Sequence, residues 1–125
     1  MIPAWPDGTV AVLITGGRGI PVSTALRIDD TTVRFGLGRR RGSLERLRAN
    51  GRCGLVVVAD GVAVTLYGSA REAGEVAGVV AVEITVDEVV DHMTPLFRID
   101  AGVAWTWVDE DAAARDAAVR SGLRS

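Results

Sequence analysis

Residues 36–51 read GLGRRRGSLERLRANG, and the reading of this stretch decides the fold. It closes a strand-like run at 32–35 (TVRF), turns on glycines, presents Arg39, Arg40 and Arg41 in a row, and then opens a short helix. The Ser43 hydroxyl suits an N-cap, where it accepts a bond from an orphan N–H of the first turn. Leu44 and Leu47 share one helical face. Asn50 and Gly51 supply a stop that tolerates positive φ. Three guanidinium groups ahead of a helix N-terminus make an anion site, with phosphate the obvious ligand; a run of arginines equally describes a solvated face. A Walker A loop is excluded, because that motif needs a lysine and all 14 basic residues are arginine.

Upstream, 9–15 (TVAVLIT) is a continuous apolar, β-branched run and predicts a buried strand. A turn follows at 16–19, then an extended stretch at 21–28 (PVSTALRI), a break at Asp29-Asp30, and the strand at 32–35. These three strands read as an antiparallel meander. Downstream, 53–59 (CGLVVVA) predicts a strand buried on both faces. Asp60-Gly61 predicts a type I′ hairpin into 62–70 (VAVTLYGSA), with Val62, Val64 and Leu66 on one face. Gly68 marks a bulge or a close approach by another backbone or a ligand. The stretch 76–86 has helix formers but is dominated by β-branched residues and is assigned to a strand; 87–93 is its end or a turn. Residues 103–108 (VAWTWV) alternate and predict a further strand with Trp105 and Trp107 on one face. Asp109 caps a last helix, 110–121, which Gly122 stops. Six or so short strands interrupted by one early helix suggest a small antiparallel barrel.

At 125 residues the chain is read as one domain, 1–125, with a single core. A formal charge of -2 and 48% hydrophobic residues argue against a dedicated nucleic-acid binder. No run of about 18 apolar residues occurs and the N-terminus lacks a signal-peptide pattern, so no membrane segment is expected and the address expected is cytoplasmic. Cys53 and His92 are each the sole residue of their type, which leaves no metal-ligand cluster. Cys53 reads as a small buried strand residue.

The order of these pieces resembles the pyridoxamine 5′-phosphate oxidase-like family of FMN-binding split barrels, some branches of which use the deazaflavin F420. AVLITGGRGIPVSTAL is similar to the family's first strand, Gly-x-Pro turn and second strand. VRFGLGRRRGSLERLRANGRCGLVVV is similar to its strand, phosphate segment, helix and fourth strand, and VTLYGSARE to its Gly-x-Ala strand. The resemblance implies a mainly β fold: a six-stranded antiparallel split barrel of Greek-key type, with a short helix after the third strand and a C-terminal helix. It implies FMN, alternatively F420, in a groove of a homodimer, and hydride transfer to or from a small molecule by an oxidoreductase. The phosphate segment falls on Arg41, Gly42 and Ser43, where the family commonly has Ser, Arg and Lys; Arg39 and Arg40 are neighbours able to help. Thr24 lies where the second strand offers a hydroxyl, and the backbone of Leu37, Gly38 and Arg39 lies where the flavin ring would be. No catalytic residue is implied, since the flavin carries the redox chemistry. Only a few residues separate Arg71 from Val76, where the family often inserts a helix, and GLRS at the end does not resemble the segment that grips vitamin B6 substrates. The alternatives are a non-catalytic or cofactor-less member of the same fold, and an arginine-rich interaction module.

Overall fold

The computed structural model describes residues 2–125. The strands β1 (Ala11–Thr15) and β2 (Arg18–Val22) form a hairpin through Gly16 and Gly17, both at positive φ. After a break at 23–25 the chain makes β3 (Leu26–Arg27), turns at Asp29 to Thr31, and forms β4 (Thr32–Leu37). The helix α1 (Gly42–Ala49) leads to β5 (Arg52–Ala59), which is followed by β6 (Val62–Val76), β7 (Val79–Asp91) and the helix α2 (Glu110–Arg124).

Hydrogen bonding orders the strands β2-β1-β5-β6-β7-β4-β3, every pair antiparallel. The two ends of that order, β2 and β3, are one stretch of chain interrupted at 23–25. The sheet therefore curls until its first and last strands are covalent neighbours, which defines a split barrel, and Trp5 ties the interruption with an Nε1–H bond to the Ala25 carbonyl at 2.9 Å. Because β4 reaches β5 through α1 yet lies beside β7, the last four long strands make a Greek key. Seven strands are present among the described residues rather than six, because the stretch expected at 21–28 is divided: its first half pairs with β1 and its second with β4. The expected meander of three strands is thereby a pair of separate hairpin contacts.

Alternation places Ala11, Leu13, Val33, Phe35, Leu55, Val57, Val64, Leu66, Val82 and Ile84 in the barrel core. Burying such a side chain fully contributes about 1.5–3 kcal/mol. Leu44 and Leu47 of α1 join this core. A second cluster of Leu26, Ala81, Val119 and Leu123 seats α2 on the outside of the sheet. This is why β7 is buried on both faces near residue 82, whereas β5, expected to be so, exposes Val58 on its outer face. Two glycines permit the helix to approach: a Cβ on Gly36 would lie 2.8 Å from Val79 Cγ2, and one on Gly122 would lie 2.0 Å from Val76 Cγ1. Gly122 is accordingly inside α2 and does not stop it.

The Asp60-Gly61 hairpin pairs Ala59 with Val62 as expected, but only Gly61 has positive φ, so the turn is not type I′. Two consecutive positive φ values occur instead at Gly16-Gly17 and at Ala77-Gly78, the latter splitting the predicted 76–86 strand into the end of β6 and the start of β7. Residues 103–108 form no strand; Trp105 instead donates to the Gly8 carbonyl at 2.8 Å. Asp109 caps α2 as expected, its carboxylate accepting from Ala112 N–H at 2.8 Å.

Candidate functional site

The strand β4 ends at Leu37, whose side chain is buried in the core, and the chain then turns with Arg41 N–H donating to the Gly38 carbonyl at 3.1 Å. Leu44 and Leu47, both buried, fix the rotation of α1 about its axis. Arg41 is the N-cap residue, and no side chain caps the helix. Ser43 is not the cap: it sits one residue inside the first turn, buried, with its hydroxyl unpartnered. Leu44 N–H donates to the Arg41 carbonyl at 3.1 Å, and the N–H groups of Gly42 and Ser43 keep the capacity and partial charge of an open helix N-terminus. At the other end Asn50 is extended rather than at positive φ, and Gly51 is required because a Cβ there would lie 2.8 Å from the Ala70 carbonyl oxygen.

The arginines around this turn divide by engagement. Arg39 is ion-paired with Glu75, and Arg48 is held by Glu45 at 2.8 Å and Glu72 at 2.6 Å. Arg40 and Arg41 are exposed and form no ion pair among the described residues. Arg46, which the sequence reading did not single out, lies against the β1–β2 turn: its Cδ is 3.0 Å from where a Gly16 Cβ would be, and one terminal nitrogen is 3.3 Å from where a Gly42 Cβ would be. Its Nε is buried without a hydrogen-bond partner, as is Thr15 Oγ1 beside the same turn. The glycines of GGRG were the signal, because Gly16 both takes positive φ and leaves space for that side chain.

Thr24 is half-buried, and its Oγ1 accepts from Gly36 N–H at 2.9 Å, which links the interrupted strand to the end of β4. Thr24, Leu37 and Gly38 thus meet through the backbone, while Arg40, Arg41, Ser43 and Arg46 gather about the first turn of α1. Beside them a groove of about 320 Å³ is bordered by Arg39, Arg48, Glu72 and Glu75. A larger groove, about 810 Å³, is elsewhere, between the N-terminal segment, the β5–β6 hairpin and residues 100–107.

Other reactive groups have structural partners. Burial pushes the Cys53 thiol up to about 11, so it is neither thiolate nor nucleophile at neutral pH. Hydrogen bonds from Arg34 at 2.7 Å and Arg71 at 2.7 Å hold the Glu83 carboxyl below its ordinary value. His92 Nε2 is 2.8 Å from Thr65 Oγ1. Among the described residues no three His, Cys, Asp or Glu side chains form a metal-binding group, and no helix is long and apolar enough to cross a membrane.

No family model and no curated protein matches the sequence. Among solved structures the chain is similar to a candidate pyridoxamine 5′-phosphate oxidase from Listeria innocua, with 14% identity over 67% of this chain and 88% of that one and a TM-score of 0.56. It is similar to HupZ from Group A Streptococcus, with 15% identity over 77% and 90% and a TM-score of 0.59. A third similar structure is a homologue of nitrilotriacetate monooxygenase component B from Mycobacterium thermoresistibile, with 13% identity over 82% and 87% and a TM-score of 0.57. All three are split-barrel proteins, and the fold of this chain is the split barrel they share.

Proposed function

We propose that this chain is a flavin-binding split-barrel protein that holds FMN by its phosphate at the first turn of α1 and serves as an oxidoreductase for a small molecule. The observation that carries the reading is the unsatisfied polar chemistry collected there: an uncapped helix N-terminus, the unpaired Arg40 and Arg41, and the buried Ser43 hydroxyl and Arg46 Nε without partners. Buried polar groups are ordinarily satisfied, and a guanidinium has five donors suited to a phosphate fork. The residues fit a phosphate in spite of the missing lysine.

The bound flavin would supply the hydride chemistry. The chain's own part is to bind and orient. Arg41 and Arg46 would neutralise the phosphate, and the Thr24 bond to Gly36 clamps the strand end whose backbone at Leu37 to Arg39 would lie along the ring. A homodimer belongs to the same proposal. Val12, Ile14, Val58 and Tyr67 are exposed on the outer face of β1, β5 and β6, where Ile14 is opposite Gly54 and Gly54 opposite Tyr67. A contiguous apolar sheet face of this kind favours a protein contact. F420 is the alternative cofactor. The engagement of Arg39 by Glu75 favours, as a second reading, a cofactor-less member of the fold.

Titration of FMN and riboflavin into wild type, Arg41→Ala and Arg46→Gln tests the reading. Loss of a charge-assisted bond worth about 1.5–3 kcal/mol weakens FMN about 10-fold to 150-fold in either variant. Riboflavin, without a phosphate, binds all three alike. Equal FMN affinity in the three proteins overturns the phosphate site, and failure of FMN, F420 and riboflavin to bind wild type overturns flavin binding.

A further inference from the structure

The groove of about 810 Å³ lies apart from the α1 turn, and its walls have a chemistry of their own. Trp105 is pinned by its bond to the Gly8 carbonyl at 2.8 Å, and Trp107 stands nearly perpendicular to it, ring centroids 4.9 Å apart at 88°. Trp107 remains 40% exposed, so indole surface is left to the groove. The remaining walls are the hairpin tip at Asp60 and, from the helix side, Asp116 and Arg120, with Asp7 from the N-terminal segment.

Charge decides what this groove would accept. Arg120 Nε is 2.8 Å from the buried Asp116 carboxylate, and its Nη1 is 3.6 Å from Asp7. Asp7 is also ion-paired with Arg124, whose hydrogen bond holds its carboxyl below the ordinary value, so Asp7 is ionised at neutral pH. Asp100, a fourth carboxylate of the lining, is neutralised by Arg98 at 2.7 Å. Asp60 forms no ion pair among the described residues. Of the four lining carboxylates only Asp60 has no guanidinium partner among the described residues, so the uncompensated negative charge of the groove is at the hairpin tip, and the indole faces of the same lining are themselves negative above the ring.

We infer that this groove binds a small organic cation, an alkylammonium whose charged head lies against Trp107 and within reach of Asp60. Quaternary ammonium groups are weakly hydrated and are recognised by aromatic walls through cation–π attraction. An anion is disfavoured by the carboxylates, and an uncharged ligand would leave Asp60 unpaired. The cavity volume of about 810 Å³ is in the range of small-molecule sites. The inference does not depend on flavin.

The test follows tryptophan emission and calorimetric heat on adding choline to the full chain, with 3,3-dimethyl-1-butanol as the uncharged molecule of the same shape. Choline is expected to give a saturable change in both signals, and the alcohol to bind at least about 5-fold more weakly because it lacks the cation. Trp107→Ala weakens choline about 2-fold to 30-fold, the range of a cation–π contact, and Trp107→Phe recovers part of it. Asp60→Asn, on an exposed hairpin tip that leaves the core untouched, weakens choline and not the alcohol. The inference is overturned by the absence of saturable choline binding, by equal binding of the alcohol, or by unchanged choline affinity in Asp60→Asn.

Discussion

Gly68→Ala puts a single methyl group where the barrel has no space for one. A Cβ on Gly68 would sit 2.2 Å from the Thr85 carbonyl oxygen and 2.9 Å from Ile84 Cγ2, while ordinary contact begins near 3.4 Å. Something must move by about 1 Å, and the first obstacle is backbone of β7, which cannot rotate away as a side chain would. The site is also where the β6–β7 register shifts, between Tyr67 and Gly68. Gly68 is not at positive φ, so the change tests sterics without an αL penalty. Overpacking costs about 1–3 kcal/mol or somewhat more, and the smaller entropy of an unfolded alanine returns about 0.4–1 kcal/mol. Because the obstacle is backbone the cost lies in the upper part of that range, about 2–3 kcal/mol or somewhat more, and the net loss of about 1–3 kcal/mol corresponds, at an unfolding entropy near 2.1 cal/mol/K per residue, to a Tm lower by about 4–12 °C. Thermal unfolding followed by far-UV circular dichroism, with urea midpoints as a second measure, reads it. Gly61→Ala is the comparison, since nothing lies within 4 Å of its Cβ position but its φ is +68°; it should lose only about 1–2 kcal/mol through backbone strain. A Tm for Gly68→Ala within about 2 °C of wild type would refute the close approach.

Ala77 is the one non-glycine among the described residues at positive φ, +47°. Asparagine tolerates that region better, so Ala77→Asn should raise stability by about 0.5–1 kcal/mol, read as an increase in Tm, and a decrease would argue against the Ala77-Gly78 turn. Glu83 is nearly buried between Arg34, which is partly covered, and Arg71, which is mostly exposed. Its folded-state pKa is depressed, so its contribution is present above the unfolded value of 4.5 and is lost as pH falls through the lower folded value. Glu83→Gln should therefore cost about 1–2 kcal/mol at pH 7, discounted for the solvent around Arg71, and the difference from wild type should shrink steadily below about pH 4. A difference independent of pH, measured by urea unfolding, would remove the carboxylate from the account. For the proposed dimer, light scattering at micromolar concentration should give twice the 13.1 kDa chain mass, and Ile14→Glu should return the monomer mass; a monomeric wild type overturns the paired sheet face.

Local chemistry was enough for much of this protein. The β-branched runs at 9–15 and 53–59, the Leu44 and Leu47 spacing, the Asp109 cap and the tight place at Gly68 each follow from a few adjacent residues, because alternation, helical periodicity and capping act over one or two turns. Where the order of elements resembled the split barrel, the fold was legible too. Tertiary structure decided what depends on partners distant in sequence. The interruption at 23–25 divides one apparent strand between two neighbours because closing a curved sheet needs two edges, and nothing in PVSTALRI says which pairs with which. The alternating VAWTWV stays irregular, with Trp105 held instead to the Gly8 carbonyl, a partner 97 positions away. Ser43 was read as a cap from its type and position, yet the packing of Leu44 and Leu47 turns it inward and leaves Arg41 at the cap. Arg46 meets Gly16 across 30 positions, and Asp7, Asp60 and Trp107 meet in one groove from three parts of the chain. Such meetings follow from register and closure, which the whole barrel sets at once, and leave no mark in the residues on either side.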